Sequence, residues 1–245
     1  MSAMVSWPRS RWVAGGGEAR VCLEVCGRFE KQLDLSDPKY GEGLPDGVTA
    51  QQFPNDWSRF AGAMGDILRE SNLDAAPAIE AAPQFVRVFG HVPDPDSLDY
   101  LRDILGVVAA LLDQGGVGVI DPQTLQIFAP HQWRETFWGG AFEPTSHVVI
   151  LLSMEGERVW FHTRGMRVFG RPDISCHAVK PEEVAALEPV FNGLIRMQAA
   201  GFIVPEGQMV QGVGLESRLI CRQRGSLDDP HFDNVHLELE WETER

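Results

Sequence analysis

The sequence predicts an α+β protein, a mostly antiparallel sheet with about three packed amphipathic helices. Two observations predict it. Apolar residues recur at helical spacing in three separate stretches. Interspersed with them, seven or so segments carry strand-like patterns, several joined by tight turns.

The elements follow in chain order. Residues 1–19 hold Trp7, Pro8, Trp12 and Gly15–Gly17 and predict a loose end or an arm laid on the surface. Val21, Leu23 and Val25 alternate with Cys22, Glu24 and Cys26, a strand with two mostly buried faces. Residues 34–50 are rich in Asp, Pro and Gly and predict a loop. Asn55 or Asp56 then offers an N-cap after Pro54. Trp57, Phe60, Ala61, Met64, Ile67 and Leu68 form one apolar helical stripe behind it. Residues 71–83 carry two prolines and many alanines and are expected to connect to a short strand at 85–88.

The clearest helix is 97–113, with Asp96 as its expected cap and Gly115 as its stop. Strands are expected at 116–120 and 125–128, then an amphipathic helix at 130–138. Residues 147–163 predict a hairpin turning at Glu155-Gly156-Glu157. A Gly- and Arg-rich loop occupies 165–172, and a strand 174–179. Pro181 suits the first turn of a helix, which Pro189 should kink or restart and Gly201 should end. Strands at 218–222 and 234–241 close the chain. Across the last, Val235, Leu237, Leu239 and Trp241 alternate with Asn234, His236, Glu238 and Glu240.

Composition narrows the function classes. Lys and Arg number 21 against 35 Asp and Glu, so the formal charge is 21 − 35 = −14. Such an excess repels phosphate backbones and anionic membranes, so neither nucleic acid nor membrane is an expected partner. No apolar run approaches the roughly 20 residues that cross a bilayer, and the first residues lack the apolar stretch of a signal peptide. The expected location is the cytoplasm. Cys22, Cys26, Cys176 and Cys221 are then expected as thiols. No dinucleotide fingerprint, no G-x-x-x-x-G-K-S/T loop and no G-x-S-x-G elbow occurs, and no cofactor is expected.

Two stretches carry candidate chemistry. In Phe161–Asp173, Arg164, Arg167 and Arg171 lie close together in an acidic chain, with His162 beside them. Guanidinium groups fork onto oxyanions, so these four residues form a candidate anion site. The competing reading has the arginines pairing with the chain's own acids. Downstream, His231, Asp233, His236 and Glu238 offer oxygen and imidazole donors to a divalent metal. There the competing reading is a solvated sheet face after an acidic turn. Trp133, Phe137, Trp138 and Phe142 form an aromatic cluster, expected in the core rather than at an interface.

Three motifs, the helix entering Gly115–Trp133, the hairpin ending in Phe161–Ile174 and the helix opened by Pro181, resemble the bacterial DUF4261 family over roughly residues 85–241. That resemblance implies a bacterial, intracellular α+β domain at 85–245. Residues 1–84 would then be an arm, strand and helix packed on it. It implies no reaction. Three functions are expected alternatives: a non-enzymatic protein that recognises a protein partner, a basic one included, as immunity or accessory proteins do; a hydrolase, metal-dependent or not, using His162 and the C-terminal His and Glu residues; and a regulatory module binding a small anion.

Overall fold

In the computed structural model, the described residues are 6–30, 32–36, 39–60, 62–138 and 141–242. The chain is α+β, as expected, but it forms two compact units, each with its own sheet. One unit comprises Met1–Pro8 and Arg20–Phe142, the other Arg9–Ala19 and Glu143–Arg245. The expected boundary near residue 84 is therefore corrected. The reason is strand pairing: the early strand at 19–27 bonds to one at 116–121, across that boundary.

The first unit holds β1 (Ala19–Gly27), β2 (Val48–Pro54), α1 (Ala63–Ser71), α2 (Ala76–Ala81), β3 (Gln84–Val92), α3 (Asp99–Asp113), β4 (Gly116–Asp121), β5 (Gln126–Phe128) and α4 (Pro130–Trp133). Its sheet runs β2-β3-β1-β4-β5. Cys26, Ile120 and Ile127 pack with Leu68 of α1 and Ile79 of α2 on one face. Alternation sends Val25 and Val119 to the other face, where both are fully buried and α3 packs on β3 and β4.

Local differences from the sequence reading have local causes. The stripe after Pro54 splits into a 3-10 turn at Trp57–Phe60 and then α1; Ala61, also placed on that stripe, lies outside the described residues. Asp56 caps the turn through Ser58 N at 2.9 Å. Asn55 instead donates to Ile79 O and Ala82 O, closing α2 inside the stretch expected as a connection. Asp96 does not cap α3. The helix opens at Asp99, whose carboxylate accepts from Ser6 Oγ and Trp7 N. Trp133 is buried against Phe128 and Phe137, and Trp138 lies on Tyr40, so the aromatic cluster is packing.

The second unit holds β6 (Val149–Glu155), β7 (Arg158–Arg164), β8 (Asp173–Val179), α5 (Val184–Ala199), β9 (Met209–Val210), β10 (Leu219–Arg224) and β11 (His236–Trp241). Its order is β6-β7-β8-β11-β10-β9, antiparallel except for the parallel β8–β11 pair. Helix α5 covers one face, with Phe191 edge-on to Phe161 at 4.5 Å. Pro189 lies inside α5, which runs through it unbroken.

The segment 9–19 is anchored rather than loose. The buried Arg9 donates to Ala199 O, Gln198 O and Phe169 O, placing a cation on the negative end of α5. Gly201 ends that helix at φ +100°, and a Cβ there would collide with Trp12. No helix among the described residues is long and apolar enough to cross a membrane.

Candidate functional site

The face of the second sheet turned away from α5 gathers histidines around one tryptophan. Alternation along β7 puts Trp160, His162 and Arg164 on this face. Residue pairing sets Ser175 opposite His162, and Glu238 opposite Ser175. A β-bulge does the rest. Val159 pairs with Val179 but Phe161 with Cys176, so His177 and Ala178 both oppose Trp160. Ala178 adopts φ 55°, a conformation uncommon outside glycine, to make room for the extra residue. The bulge re-aims His177, whose ring stacks on Trp160 at 5.0 Å. His162 stacks on Trp160 at 3.8 Å. The indole Nε1 donates to Ser175 Oγ at 3.0 Å.

The turn before β11 closes over this stack. Asp229 Oδ1 accepts from His231 N and Phe232 N, and Asp229 O accepts from Asp233 N. His231 meets Trp160 edge-on at 5.2 Å, and buried Phe232 stacks on His236 at 4.4 Å. The three candidate arginines hold the surroundings in place. Arg164 donates to His231 O, and Arg167 to Asp233 O and Oδ1. Arg171 is buried and donates to Gly170 O, Gly201 O and Phe202 O. They do not converge on an open anion site, because carbonyls and one carboxylate of the chain already occupy them. Beneath, the buried Asp173 accepts from Thr163 Oγ1, Met166 N and Asn234 Nδ2.

The metal set is corrected as well. Among the described residues no group of three or more His, Cys, Asp or Glu side chains is arranged to hold a metal ion. The Asp233 carboxylate is paired with Arg167 at 3.0 Å, and His236 Nε2 stands 3.9 Å from Glu238 Oε2. His231 belongs to the tryptophan contact described above.

Titration follows burial. Desolvation lowers His162 to about 4, helped by the charges of Arg164, His231 and His177 and opposed by the accepting backbone carbonyl of Trp160. Desolvation also lowers His236, against Glu238 and Asp229. Burial raises Asp173 to about 6 and the thiols Cys22 and Cys26 to about 12. The Nδ1 atoms of His162 and His236 are buried without a hydrogen-bond partner. Within the second unit the Cys176 thiol is fully buried, on the face of β8 shared with Phe161 and turned away from His162, and burial pushes it up, so it forms no nucleophile–base pair with that imidazole.

Sequence reasoning found His162, His231 and His236 but missed Trp160, His177 and Phe232. Trp160 was legible, since it shares the period-two face of His162. The bulge that turns His177 was not.

No family model matches the chain, and no curated protein or solved structure matches it. The fold and site define a class only: a two-unit α+β protein with an imidazole–indole cluster on an open sheet face.

Proposed function

We propose that this is a non-enzymatic binding protein that recognises a protein partner with a basic surface, of the immunity or accessory kind. One observation carries the reading. The rim of the cluster, His177 and His231, is exposed, Trp160 is half-buried beneath it, and the carboxylates of Glu155 and Glu238 meet His177, at its ring Nδ1 and its backbone N. A rigid aromatic anchor inside an acidic rim is the arrangement that interfaces use. The net charge of −14 would speed capture of a cationic partner and make it salt-sensitive. The DUF4261 resemblance, with its intracellular bacterial setting, agrees with this and supplies no reaction. The test is retention of proteins from a lysate of the source cells on the immobilised chain. A basic protein held at low salt and released as salt rises is expected, with retention lost in a His177→Ala/His231→Ala variant. Failure to hold any protein at low salt overturns the proposal.

A further inference from the structure

The outermost strand of a sheet leaves backbone N–H and C=O groups facing outward, and proteins blunt such edges with short strands, proline, lysine or bulges. Three of the four sheet edges here are blunted. β9 has two residues and β5 three. β2 carries Thr49, Gln51 and Gln52 and ends in Pro54. β6 is different. It matches β2 in its seven residues and unbroken pairing, but contains neither proline nor lysine and exposes leucine and methionine where β2 carries threonine and glutamine. Among the described residues β7 is its only strand neighbour.

The side chains of β6 carry the same message. None is buried, although Val149, Ile150, Leu151, Leu152 and Met154 are apolar. Leu152 is 57% and Met154 69% exposed. They share one face and stand opposite Phe161 and Val159 of β7, which are buried. The apolar layer of the sheet thus runs one strand further than the chain covers it. On the other face Ser153 and Leu151 stand opposite Trp160 and His162, so this edge borders the cluster.

We infer that β6 receives an additional strand from the protein partner: an extended segment with alternating apolar residues and lysine or arginine at the end that passes Glu155 and Glu157. The inference rests on the binding reading above and gives it a surface. Backbone pairing along β6 would supply affinity, and apolar residues seated over Leu152 and Met154 would set the register. Charge selects the occupant. Glu155 and Glu157 end the strand and open the turn, whereas Val149 at the other end stands opposite Arg164, so the local attraction acts at the turn end, and the chain carries −14. A second copy would bring the same net charge and be repelled, whereas a cationic end passing the turn is attracted.

The test uses the full chain and a synthetic peptide that alternates valine and threonine between lysine ends. Two control peptides have glutamate ends or N-methylated backbone amides. The lysine-ended peptide is expected to bind at low salt and to slow amide exchange across Val149–Glu155. Both controls, and a Leu152→Lys/Met154→Lys variant, should bind at least about tenfold more weakly. Both substituted positions are exposed, so the variant keeps its fold, which circular dichroism checks. Equal binding to the variant, or none by the wild type, overturns the inference. So does concentration-dependent self-association in sedimentation that the variant abolishes, which would give the edge to a second copy. If the lysate partner is retained equally by wild type and variant, the edge assignment falls while the binding reading stands.

Discussion

The two sheets treat a polar group on a buried face in opposite ways. In the first unit, Glu24 projects from the middle of β1 with a side chain only 3% exposed. Arg59 meets one carboxylate oxygen at 2.7 Å, and Arg87 grips the other at 2.9 and 2.7 Å. Both guanidinium groups lie over Phe85, at 4.0 and 5.3 Å. In the second unit, His162 and His236 are also surrounded by aromatic rings, yet each leaves Nδ1 without a partner. Both oxygens of Glu24 are met, although Arg59 Nε in the same clamp is itself buried without a partner; a satisfied buried acceptor rigidifies its surroundings, and an unsatisfied one costs stability. The contrast separates a group kept for the fold from groups kept despite it.

The largest expected effect tests the satisfied side. Arg59→Ala with Arg87→Ala strands the Glu24 carboxylate among apolar neighbours and should cost roughly 3–5 kcal/mol in urea unfolding. Adding Glu24→Leu to that double variant should recover much of the loss, because the stranded charge is gone. If the triple variant is no more stable than the double, the clamp is not what makes Glu24 tolerable.

Next comes Asp173, a buried carboxylate beside the histidine cluster with both oxygens met. Asp173→Asn turns an acceptor of three donors into a group whose amide nitrogen faces Asn234 Nδ2. A loss of about 2 kcal/mol is expected, from one broken bond and one donor left unmet. An unchanged urea midpoint would show that the network beneath the cluster is slack.

How much of this contrast was legible depends on the range of the interactions. The β6–β7 hairpin, α3 and the alternation of β11 are written locally, as period and turn chemistry, and the sequence reading locates them. β2 and α2 were read as loop and connection, because Pro and Gly around β2 and Ala and Pro around α2 mask weak periodicity. Their order comes from partners far along the chain, such as the pairing of Val48 with Gly90. The parallel β8–β11 pair likewise joins residues more than 60 positions apart, as Asp173 with His236. The arginine loop shows the same limit. Its composition suggested a ligand grip, but its partners are carbonyls of a turn that no local pattern connects to it.

Acid titration sets the two sides against each other. His162 is held at about 4, so the unfolded chain takes up a proton below about 6.5 that the folded chain refuses. Its contribution to stability is complete above that value and is lost as pH falls toward 4. Asp173 acts in the opposite direction. With its pKa raised to about 6, the folded chain binds a proton below that value which the unfolded chain keeps off until about 3.9. Acid therefore removes about 3 kcal/mol through His162 and returns about 2 through Asp173. The pair together should shift stability by only about 1 kcal/mol between neutral pH and pH 4. His162→Gln should remove only the share of His162, so that this variant loses about 3 kcal/mol less than the wild type between neutral pH and pH 4, while His147, which burial also lowers to about 4, keeps its own acid loss. A His162→Gln profile parallel to the wild type would mean the imidazole titrates normally.

The smallest effect concerns the outer layer of the cluster. His177 is exposed, is held by Glu155 at 2.9 Å and covers one face of Trp160. Its contact with Glu155 is solvated and worth little, and the stack adds about 0.5–1 kcal/mol. His177→Ala should therefore cost no more than about 1 kcal/mol, while uncovering the indole and shifting its emission to the red. A larger loss would make His177 part of the packing and remove it from the candidate surface. A small loss with a clear spectral shift would mean that the strained turn at Ala178 holds an imidazole whose removal the fold scarcely registers. The backbone cost of that bulge would then be tied to the surface it builds and not to the stability of the sheet.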